Sequence, residues 1–543
     1  MRGEARLPDG ISTIPAALDF WAIADPDAAA LRAADGRAIS RSALRQAINR
    51  VSVSIAARGI GRQDRIALIL PPGLDACVVL LGTIAGAVAV PLNPAASAHE
   101  LKRDLERLRP ALVVTDEAGG TLVREIASSL TLPVVTADAM LTPDGTVRRR
   151  ERARPTTAPH DIAVILHTSG TTALPKRVPR THANIIAGAR VAREAVQLTP
   201  DDVLLLTASV HHNMGLADFL VTLLNGASCV VTLGFDPLAY PDWLREFQPT
   251  WTVLTPSELM LLLDNGDVSD RRRIGGTKSH LRAVGAEAQA MLPGTLERAE
   301  RCLGAPVLCG YGMTETGNIT RFGVGERRRE GSCGRSWGIA IRVIDDALQD
   351  VAPCTAGEVV VRGPTVFSGY LDEPMATAAA FLNGGWFRTG DTGYLDDEGF
   401  LYLVGRSSET INRGGEKIAP LEVDLALARH SAVAAAAVFP VPDARLGEDI
   451  VAAVVVKPEA KTSPRALRAW LLERLAPFKV PRRIWFVDDI PRTATGKVLR
   501  GALTEQFLAA TTSKSFKAGA IEPAEMPSPT LQPRESPVHE AFQ

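Results

Sequence analysis

Residues 166–185 read LHTSGTTALPKRVPRTHANI, and this stretch carries the most specific signal in the chain. The apolar run Ile162–Leu166 at its start predicts a buried strand. The strand leads into a loop of hydroxyl and glycine residues that is followed by a lysine: Thr168, Ser169, Gly170, Thr171, Thr172 and Lys176. Such a loop offers N–H groups, hydroxyl donors and one cation to a polyphosphate. A Ser/Thr-rich surface turn is the alternative interpretation.

Three further blocks follow along the chain: GYGMTETG at Gly310–Gly317, WFRTGDTGYLDDEGFLYLVGR at Trp386–Arg406, and PRTATGKVLR at Pro491–Arg500. The first loop lacks the G-x-x-x-x-G-K-[ST] spacing of a Walker A loop. In this order the four blocks resemble the adenylate-forming enzymes, the superfamily of acyl-CoA synthetases, peptide-synthetase adenylation domains and luciferases. The resemblance implies an enzyme that reacts a carboxylic acid with ATP to give an acyl-AMP.

The length of 543 residues predicts two or more domains, since one hydrophobic core does not usually grow this large. Helix-like and strand-like segments alternate in residues 1–405, which predicts an α/β fold: a large N-terminal domain of mostly parallel βα units plus a β-rich subdomain. The pattern of helix and strand candidates in residues 406–512 predicts a small C-terminal α+β domain. The resemblance implies that this domain is mobile. The tail, 513–543, is rich in Pro, Ser and Glu and is predicted to be disordered.

Composition and charge exclude several classes of function. A net charge of −1 argues against electrostatic nucleic-acid binding. The six cysteines show no C-x-x-C pair and the nine histidines no H-E-x-x-H, so neither a disulfide framework nor a zinc site is indicated. The N-terminus lacks the apolar core of a signal peptide. The apolar stretch Cys77–Pro91 is too short to span a membrane and is predicted to be a buried helix that runs into a strand. A cytoplasmic location with reduced thiols is therefore expected.

The catalytic candidates follow from charge. Acyl-adenylate formation brings a carboxylate towards an α-phosphate, so the site must offset negative charge. Mg²⁺ is the usual counterion, and it takes anionic oxygen ligands. The resemblance implies that Glu315 binds Mg²⁺ and that Thr314 contacts phosphate. The alternative for Glu315 is a carboxylate in the first turn of a helix, where the dipole favours it.

The resemblance also implies which residues hold the nucleotide. Asp391 matches an aspartate that accepts hydrogen bonds from the ribose hydroxyls, and Arg406 matches an arginine near the ribose and phosphates. The other predicted contacts follow strands predicted over Leu281–Val284 and Val307–Gly310: Gly285, Ala286, Glu287, Gly310, Tyr311, Gly312 and Met313. Tyr311 could stack on adenine, but a core tyrosine is an equally acceptable interpretation.

Two further residues become catalytic candidates only through the resemblance. Lys497 matches a lysine that enters the site from the small domain and contacts the α-phosphate and the carboxylate; on its own it would be a solvated loop lysine. His212 matches a histidine or aromatic residue of the acyl pocket. Its neighbours His211 and Met214 are equally acceptable as pocket or core residues.

Residues 405–424, GRSSETINRGGEKIAPLEVD, suggest thioester formation with CoA. Gly414 and Gly415 permit a hairpin with close backbone approach, and the resemblance implies that a loop of this type moves in beside the pantetheine channel of CoA ligases. This text is especially similar to oxalate–CoA ligases and related short-chain or fatty acyl-CoA synthetases. The chain departs from the family at Ser408, where the hinge is usually Asp or Lys, and at Arg177, where Gly is common; the added charge at Arg177 is either harmless or assists ATP binding.

The interpretation that fits these observations is an AMP-forming acyl-CoA synthetase, with ATP, Mg²⁺ and CoA joining a small-molecule carboxylic acid. Oxalate is the first expected acid, with other short or medium-chain carboxylates as rivals. Two alternatives stay open. One is an acyl-AMP ligase that loads a separate carrier protein. The other is a nucleotide-binding relative without turnover, for which Ser408 is the best support.

Overall fold

The computed structural model describes residues 6–118, 120–142, 157–168, 175–264, 280–286, 293–493 and 496–512. The chain divides into two compact units. The larger extends to Ser408 and also includes Arg492–Lys497, and the smaller comprises Glu409–Pro491 and the segment from Val498 onwards.

Twelve described helices belong to the larger unit. In chain order they are α1 (Ile14–Ala24), α2 (Arg41–Ala57), α3 (Leu74–Gly86), α4 (Ala98–Leu108), α5 (Gly120–Ser129), α6 (Ala137–Leu141), α7 (His182–Val196), α8 (Asn213–Leu224), α9 (Tyr240–Phe247), α10 (Pro256–Asp264), α11 (Pro293–Leu303) and α12 (Pro374–Ala380). No described helix of the protein is both long and apolar enough to cross a membrane.

The described strands of the larger unit alternate with these helices in its first three hundred residues. They are β1 (Ala29–Ala33), β2 (Ala38–Ser40), β3 (Arg65–Ile69), β4 (Val88–Pro91), β5 (Leu112–Thr115), β6 (Val134–Thr136), β7 (Ile162–His167), β8 (Arg177–Thr181), β9 (Val203–Leu206), β10 (Ser228–Val231), β11 (Trp251–Leu254), β12 (Ala283–Ala286), β13 (Val307–Met313), β14 (Gly317–Arg321), β15 (Arg335–Ser336), β16 (Ala340–Ile344), β17 (Gly357–Arg362), β18 (Phe381–Leu382), β19 (Trp386–Leu395) and β20 (Leu401–Arg406).

Three sheets organise these strands. A six-stranded sheet has the order β6-β5-β3-β4-β7-β8. It is parallel from β6 to β7, and the edge strand β8 pairs antiparallel with β7. A nine-stranded sheet has the order β15-β14-β13-β12-β11-β9-β10-β1-β2 and is parallel from β13 to β1. A smaller antiparallel sheet joins β16, β17, β19, β18 and β20. The predicted α/β class with a β-rich subdomain is confirmed.

Helix α3 shows why the two parallel sheets pack as they do. Its sequence, LDACVVLLGTIAG, is apolar on all sides, and every residue except Asp75 is buried. A helix without a polar face must be enclosed. It packs against α2, against β1 of the nine-stranded sheet and against β7 of the six-stranded sheet. The carboxyl end of β7, where the hydroxyl-rich loop begins, is thereby fixed to the core.

The smaller unit has its own core. Its elements are β21 (Ile411–Arg413), β22 (Glu416–Ile418), α13 (Pro420–Ala428), β23 (Val433–Asp443), β24 (Gly447–Val456), α14 (Pro464–Leu472), β25 (Arg483–Phe486) and α15 (Arg500–Thr512). Strand order is β22-β21-β24-β23, with β25 parallel to β24. Helices α13 and α14 cover one face through Val423 and Leu467, and α15 covers the other through Leu503 and Phe507.

Two local predictions were wrong. The strand predicted over Val307–Gly310 is longer than expected, because β13 continues to Met313 and turns into β14. The continuation occurs because β14 offers an antiparallel partner that satisfies the backbone groups. The strand predicted over Leu281–Val284 is instead Ala283–Ala286, so Gly285 and Ala286 pair with β11 and β13.

The packing of α2 on α3 generates a stability prediction. A Cβ added to Gly82 would lie 2.3 Å from Cβ of Val51, whereas one added to Gly188, inside α7, would meet nothing within 4 Å. We expect Gly82→Ala to lower the free energy of unfolding of the larger unit by about 1–3 kcal/mol through overpacking. Gly188→Ala is the matched control and should be neutral or stabilising by about 0.5–1 kcal/mol. Urea unfolding followed by tryptophan fluorescence measures both, and equal effects would contradict the packing argument.

Candidate functional site

The two described ends of the hydroxyl-rich loop are joined to each other. The N–H of Thr168 donates to the carbonyl of Lys176 at 3.0 Å, and the N–H of Lys176 donates to Oγ1 of Thr168 at 3.0 Å. This pair of hydrogen bonds closes the loop at the ends of β7 and β8. The predicted contacts Ser169, Gly170, Thr171 and Thr172 lie outside the described residues.

The GYGMTETG block forms the hairpin between β13 and β14, and Glu315 lies in its turn. A Cβ on Gly312 would lie 2.4 Å from the carbonyl oxygen of Gly317, so the close approach of the two strands requires glycine there. The Glu315 residue is only 5% exposed. Its carboxylate oxygen Oε1 accepts a hydrogen bond of 2.9 Å from the Tyr370 hydroxyl. The alternative of a carboxylate in the first turn of a helix is wrong.

A buried guanidinium supports the same turn. Arg180 donates from Nη1 to the carbonyl of Thr314 at 2.7 Å and from Nη2 to the carbonyl of Thr365 at 3.0 Å. Burial lowers the pKa of Arg180 to about 10, and the nearby negative charge of Glu315 opposes that shift. Arg180 therefore stays charged at neutral pH. Thr314, predicted to contact phosphate, is held through its main chain.

Lys176 and Glu315, predicted from separate motifs, meet at one aromatic ring. The Nζ atom of Lys176 lies 4.4 Å from the centroid of the Tyr370 ring, and the hydroxyl of the same ring donates to Glu315. A cation over an aromatic face is attracted by the ring's quadrupole. The structure thus places the loop lysine and the candidate metal carboxylate on two sides of one residue.

A second cluster joins three more predicted residues. The Tyr311 hydroxyl donates to Oδ2 of Asp391 at 2.5 Å, and Nε of Arg406 lies 2.9 Å from Oδ1 of the same carboxylate. Asp391 and Arg406 are directly opposed on β19 and β20. Asp391 is buried, and burial and the neighbouring carboxylate raise the pKa of Tyr311 above its usual value. The hydroxyl therefore stays protonated and fixes the orientation of the carboxylate.

The donor set at Glu315 fits a magnesium ion that is held mainly by substrate. No group of three His, Cys, Asp or Glu residues within the described ranges could form a metal cage. Mg²⁺ characteristically takes one or two protein carboxylates together with phosphate oxygens and water. Glu315 has one oxygen on the Tyr370 hydroxyl and a second oxygen for a metal, so a single-carboxylate site is chemically consistent.

His212 caps α8 at its N-terminus, as the last residue before the helix. The rings of His211 and His212 lie 4.2 Å apart, and Nδ1 of His211 is 2.5 Å from the Ser209 hydroxyl. Burial and, to a lesser extent, His212 lower the pKa of His211 to about 3, and burial also lowers the pKa of His212. Both rings are neutral at pH 7. They are hydrogen-bonding groups and not cations.

Deeper on α8, Asp218 faces a second buried guanidinium. Burial raises the pKa of Asp218 to about 7, and the charge of Arg321 opposes that shift. Arg321 ends β14 opposite Gly310, where a Cβ would lie 3.5 Å from its Nε, and its guanidinium lies 5.4 Å from the Trp251 ring. The mostly apolar sequence of α8 did not indicate that two ionisable groups, Asp218 and Arg321, are buried in this region.

The other predicted residues are distributed as follows. Gly285 and Ala286 end β12, and Glu287 lies outside the described residues. Lys497 closes a turn in which its N–H donates to Oγ1 of Thr493 at 3.1 Å. Gly414 and Gly415, with φ of 61° and 99°, form the two-residue turn of the β21–β22 hairpin. Both central residues of such a turn need positive φ, which glycine provides.

Sequence reasoning missed Tyr370 and Arg180. Tyr370 lies in the irregular segment between β17 and α12, where no periodicity marks a site residue. Arg180 occupies a strand position at which an arginine would ordinarily be taken for an exposed residue. Arg177, expected near the phosphates, uses its guanidinium for contacts within the protein: it donates to the carbonyls of Arg107 and Leu371.

Comparison with known proteins gives a consistent assignment. The family model "AMP-binding enzyme" matches residues 18–371, and the model "AMP-binding enzyme C-terminal domain" matches residues 422–497. The chain is 33% identical over 500 residues to oxalate–CoA ligase of Arabidopsis thaliana, covering 89% of this chain and 96% of that protein. It is 34% identical over 507 residues to sulfoacetate–CoA ligase of Cupriavidus necator, covering 91% and 97%.

The fold is also similar to solved structures. ATP-bound MatB from Rhodopseudomonas palustris superposes with a TM-score of 0.84 at 29% sequence identity, over 91% of this chain and 99% of that one. The similarity covers nearly the full length of both proteins, so it includes both the large and the small domain.

The raised pKa of Asp218 predicts how stability changes with pH. Between its unfolded value, near 3.8, and about 7, the folded state holds one more proton than the unfolded state. The free energy of unfolding should therefore fall as pH rises through this window, by up to about 1.4 kcal/mol per pH unit. Asp218→Asn removes this dependence, so the variant should gain stability relative to the wild type between pH 5 and 7.

Urea unfolding of both proteins across pH 5–8 measures the difference. Asp397→Asn, which changes an exposed aspartate, is the control and should give a constant difference from the wild type. A constant difference for Asp218→Asn as well would contradict the buried, protonated carboxyl.

Proposed function

The chain belongs to the AMP-binding enzyme family, and on that premise we propose that it is an acyl-CoA synthetase for a short acid carrying a second polar or anionic group. The observation that carries the proposal is the meeting of Lys176 and Glu315 at Tyr370, since it joins a phosphate-binding cation to a metal carboxylate. The relatives at this level of similarity act as CoA ligases.

The predicted membership, the class of ATP-dependent acid–thiol ligase and the use of ATP, Mg²⁺ and CoA are confirmed by these relatives and by similar structures solved with ATP and magnesium ion. Transfer to CoA is favoured over transfer to a carrier protein, because the curated relatives are CoA ligases. The individual roles of the site residues remain proposals.

In the first half-reaction, a carboxylate oxygen of the acid attacks the α-phosphorus of ATP and pyrophosphate leaves. We assign Lys176 to the phosphates and Glu315 to Mg²⁺, which when bound would offset the phosphate charge. Asp391, oriented by Tyr311 and Arg406, would accept hydrogen bonds from the ribose. Lys497 would contact the α-phosphate and the acid.

In the second half-reaction, the CoA thiolate attacks the acyl carbonyl and AMP leaves. The β21–β22 hairpin is assigned to this step. The Gly414 N–H donates to the carbonyl of Leu446 at 2.9 Å, and the Gly415 N–H donates to Oδ1 of Asn412 at 3.0 Å. These two hydrogen bonds hold the turn within the smaller unit. Gly414 and Gly415 are exposed and carry no side chain, so pantetheine could pass along their backbone.

Oxalate is the first acid proposed, with sulfoacetate and other short acids as rivals. The relatives named for these two acids both use substrates with a second anionic group. A second carboxylate would need a cation or several donors in the pocket, and His211 and His212 are neutral at pH 7. They would act as neutral donors, and Arg321 beside Gly310 would supply the positive charge.

A cytoplasmic location is also proposed. Its support is that the six cysteines, all among the described residues, form no disulfide. Burial raises the pKa of the thiols of Cys77, Cys309 and Cys333, which keeps them protonated and unreactive.

The deciding experiment is AMP release with oxalate, sulfoacetate, octanoate and benzoate, each with and without CoA. Release of AMP with formation of oxalyl-CoA supports the proposal. Activity on octanoate with none on oxalate or sulfoacetate would reject the substrate class. ATP binding without turnover of any acid would instead favour the inactive relative.

Lys497→Ala should slow acyl-AMP formation by about 10²–10³-fold, since one preorganised charge at the transition state contributes roughly 3–4 kcal/mol. ATP binding should change little. Thioester formation from supplied acyl-AMP should survive, because Lys497 is assigned to the first step only. Pyrophosphate exchange and single-turnover thioester assays separate the two. Equal losses in both half-reactions would show that the assignment to the first step is wrong.

Ser408→Pro should slow CoA transfer far more than adenylation. Ser408 lies in the short helical turn Ser407–Glu409 and is the last residue of the larger unit before the boundary with the smaller. If the units rotate between half-reactions, one residue must absorb a large φ/ψ change, and proline fixes φ near −65°. Ser408→Ala is the control and should change either rate little. A proline variant that forms acyl-CoA at the wild-type rate would place the hinge elsewhere.

A further inference from the structure

We propose that Tyr370 is a positioning residue for ATP activation: its hydroxyl sets the carboxylate of Glu315 for Mg²⁺, and its ring sets Lys176 for the phosphates. The inference rests on the proposed function and deepens it, since it gives one side chain two separable tasks at the same site.

The backbone shows how Tyr370 comes to lie between the two groups. The N–H of Phe367 donates to the carbonyl of Glu315 at 2.9 Å, and the N–H of Leu371 donates to the carbonyl of Arg177 at 2.9 Å. The segment 367–371 is therefore anchored at one end to the turn after β13 and at the other end beside Lys176. Tyr370 is placed by both anchors.

The local chain conformation admits few alternatives. Gly369 has φ of +141°, and a Cβ there would lie 2.5 Å from Cγ2 of Thr377. Oγ1 of Thr377 accepts a hydrogen bond of 2.9 Å from the N–H of Tyr370. The ring packs edge-on to Phe367 at a centroid distance of 4.9 Å. Because backbone and ring are both held, the hydroxyl can keep a fixed position relative to Glu315.

The chemistry of the pair suits metal positioning. The Tyr370 hydroxyl donates to one oxygen of the buried Glu315 carboxylate at 2.9 Å. A ligating carboxylate that accepts such a hydrogen bond on one oxygen presents the other in a fixed direction. Loss of such an outer partner typically costs about 10–100-fold in metal affinity or activity.

The ring has the second task. Lys176 has Nζ 4.4 Å from the ring centroid, next to the loop that Thr168 and Lys176 close. The ring face holds the ammonium group without neutralising it, in contrast to a carboxylate partner. The charge therefore remains available to phosphate oxygens.

Two variants separate the tasks, because one keeps the ring and the other removes it. Tyr370→Phe removes the hydroxyl only. ATP titrated calorimetrically into the full-length protein should then need about tenfold more Mg²⁺ for half-maximal enhancement of binding. Its affinity for ATP in EDTA should match that of the wild type. Tyr370→Leu removes the ring too and should also weaken ATP binding in EDTA by about threefold, as for one cation–π contact.

The matched control is Tyr402→Phe, which removes another tyrosine hydroxyl that donates to a carboxylate, Asp396, at 3.5 Å. It should leave both measurements unchanged. The double variant Glu315→Gln/Tyr370→Phe tests whether Tyr370 acts through Glu315: the Phe substitution should have no further effect on Mg²⁺ dependence in the Gln background.

Unchanged Mg²⁺ dependence in Tyr370→Phe would overturn the inference, and so would an equal loss of ATP binding with and without Mg²⁺, which would indicate a purely structural role. Failure of the proposed function looks different: the wild type would bind Mg²⁺-ATP and show the Tyr370 effect, but would convert no acid of the panel to its CoA thioester. A wild type that binds no ATP would overturn both.

Discussion

Two main-chain hydrogen bonds, from Phe367 to Glu315 and from Leu371 to Arg177, hold the candidate site together. They connect strands that belong to different sheets, since β8 lies at the edge of the six-stranded sheet and β13 lies in the nine-stranded sheet. The segment links the loop lysine and the candidate metal carboxylate across the two sheets, and the bond from Arg180 of β8 to the carbonyl of Thr314 adds a second link. The relative position of two charged groups therefore depends in part on five residues of irregular chain.

Two buried arginines of β8 also hold the segments around Lys176 and Glu315 in place. Arg177 binds the carbonyls of Arg107 and Leu371, and Arg180 binds those of Thr314 and Thr365. Each guanidinium satisfies main-chain oxygens that the last turn of α4 or irregular segments leave without a main-chain partner. A buried charge is costly unless it is hydrogen-bonded, so loss of these bonds on displacement of the joined segments would be unfavourable. The two departures from an ordinary apolar strand pattern in β8 thus serve rigidity around the site.

The sequence predicted most of the architecture because its signals are local. Alternating βα units, the apolar helix α3 and the glycine pair of the β21–β22 turn each follow from short-range rules, and the structure has all three. The strand ends were less predictable: β13 runs through Met313 because β14 returns beside it after a short turn, and the glycines of the GYGMTETG block gave no sign that the strand would continue.

The site was predictable in part for the same reason. Motif residues such as Asp391 and Arg406 could be identified one by one, and their direct pairing across β19 and β20 follows from a hairpin. Tyr370 could not, because its position comes from hydrogen bonds that Phe367 and Leu371 make to residues distant in sequence. The neutral state of His211 and His212 was also inaccessible, since burial sets their pKa values and burial is a property of the folded chain.

The smaller unit covers both faces of its sheet with its own helices, with Val423 and Leu467 on one side and Leu503 and Phe507 on the other. The apolar surface that such a unit buries on folding comes from its own sheet and helices. A mutation in the core of the larger unit should accordingly leave the smaller unit folded. During synthesis the smaller unit could fold after most of the larger unit has emerged. Substitutions at a unit boundary such as Ser408–Glu409 could then change how the units are connected without changing the core of either.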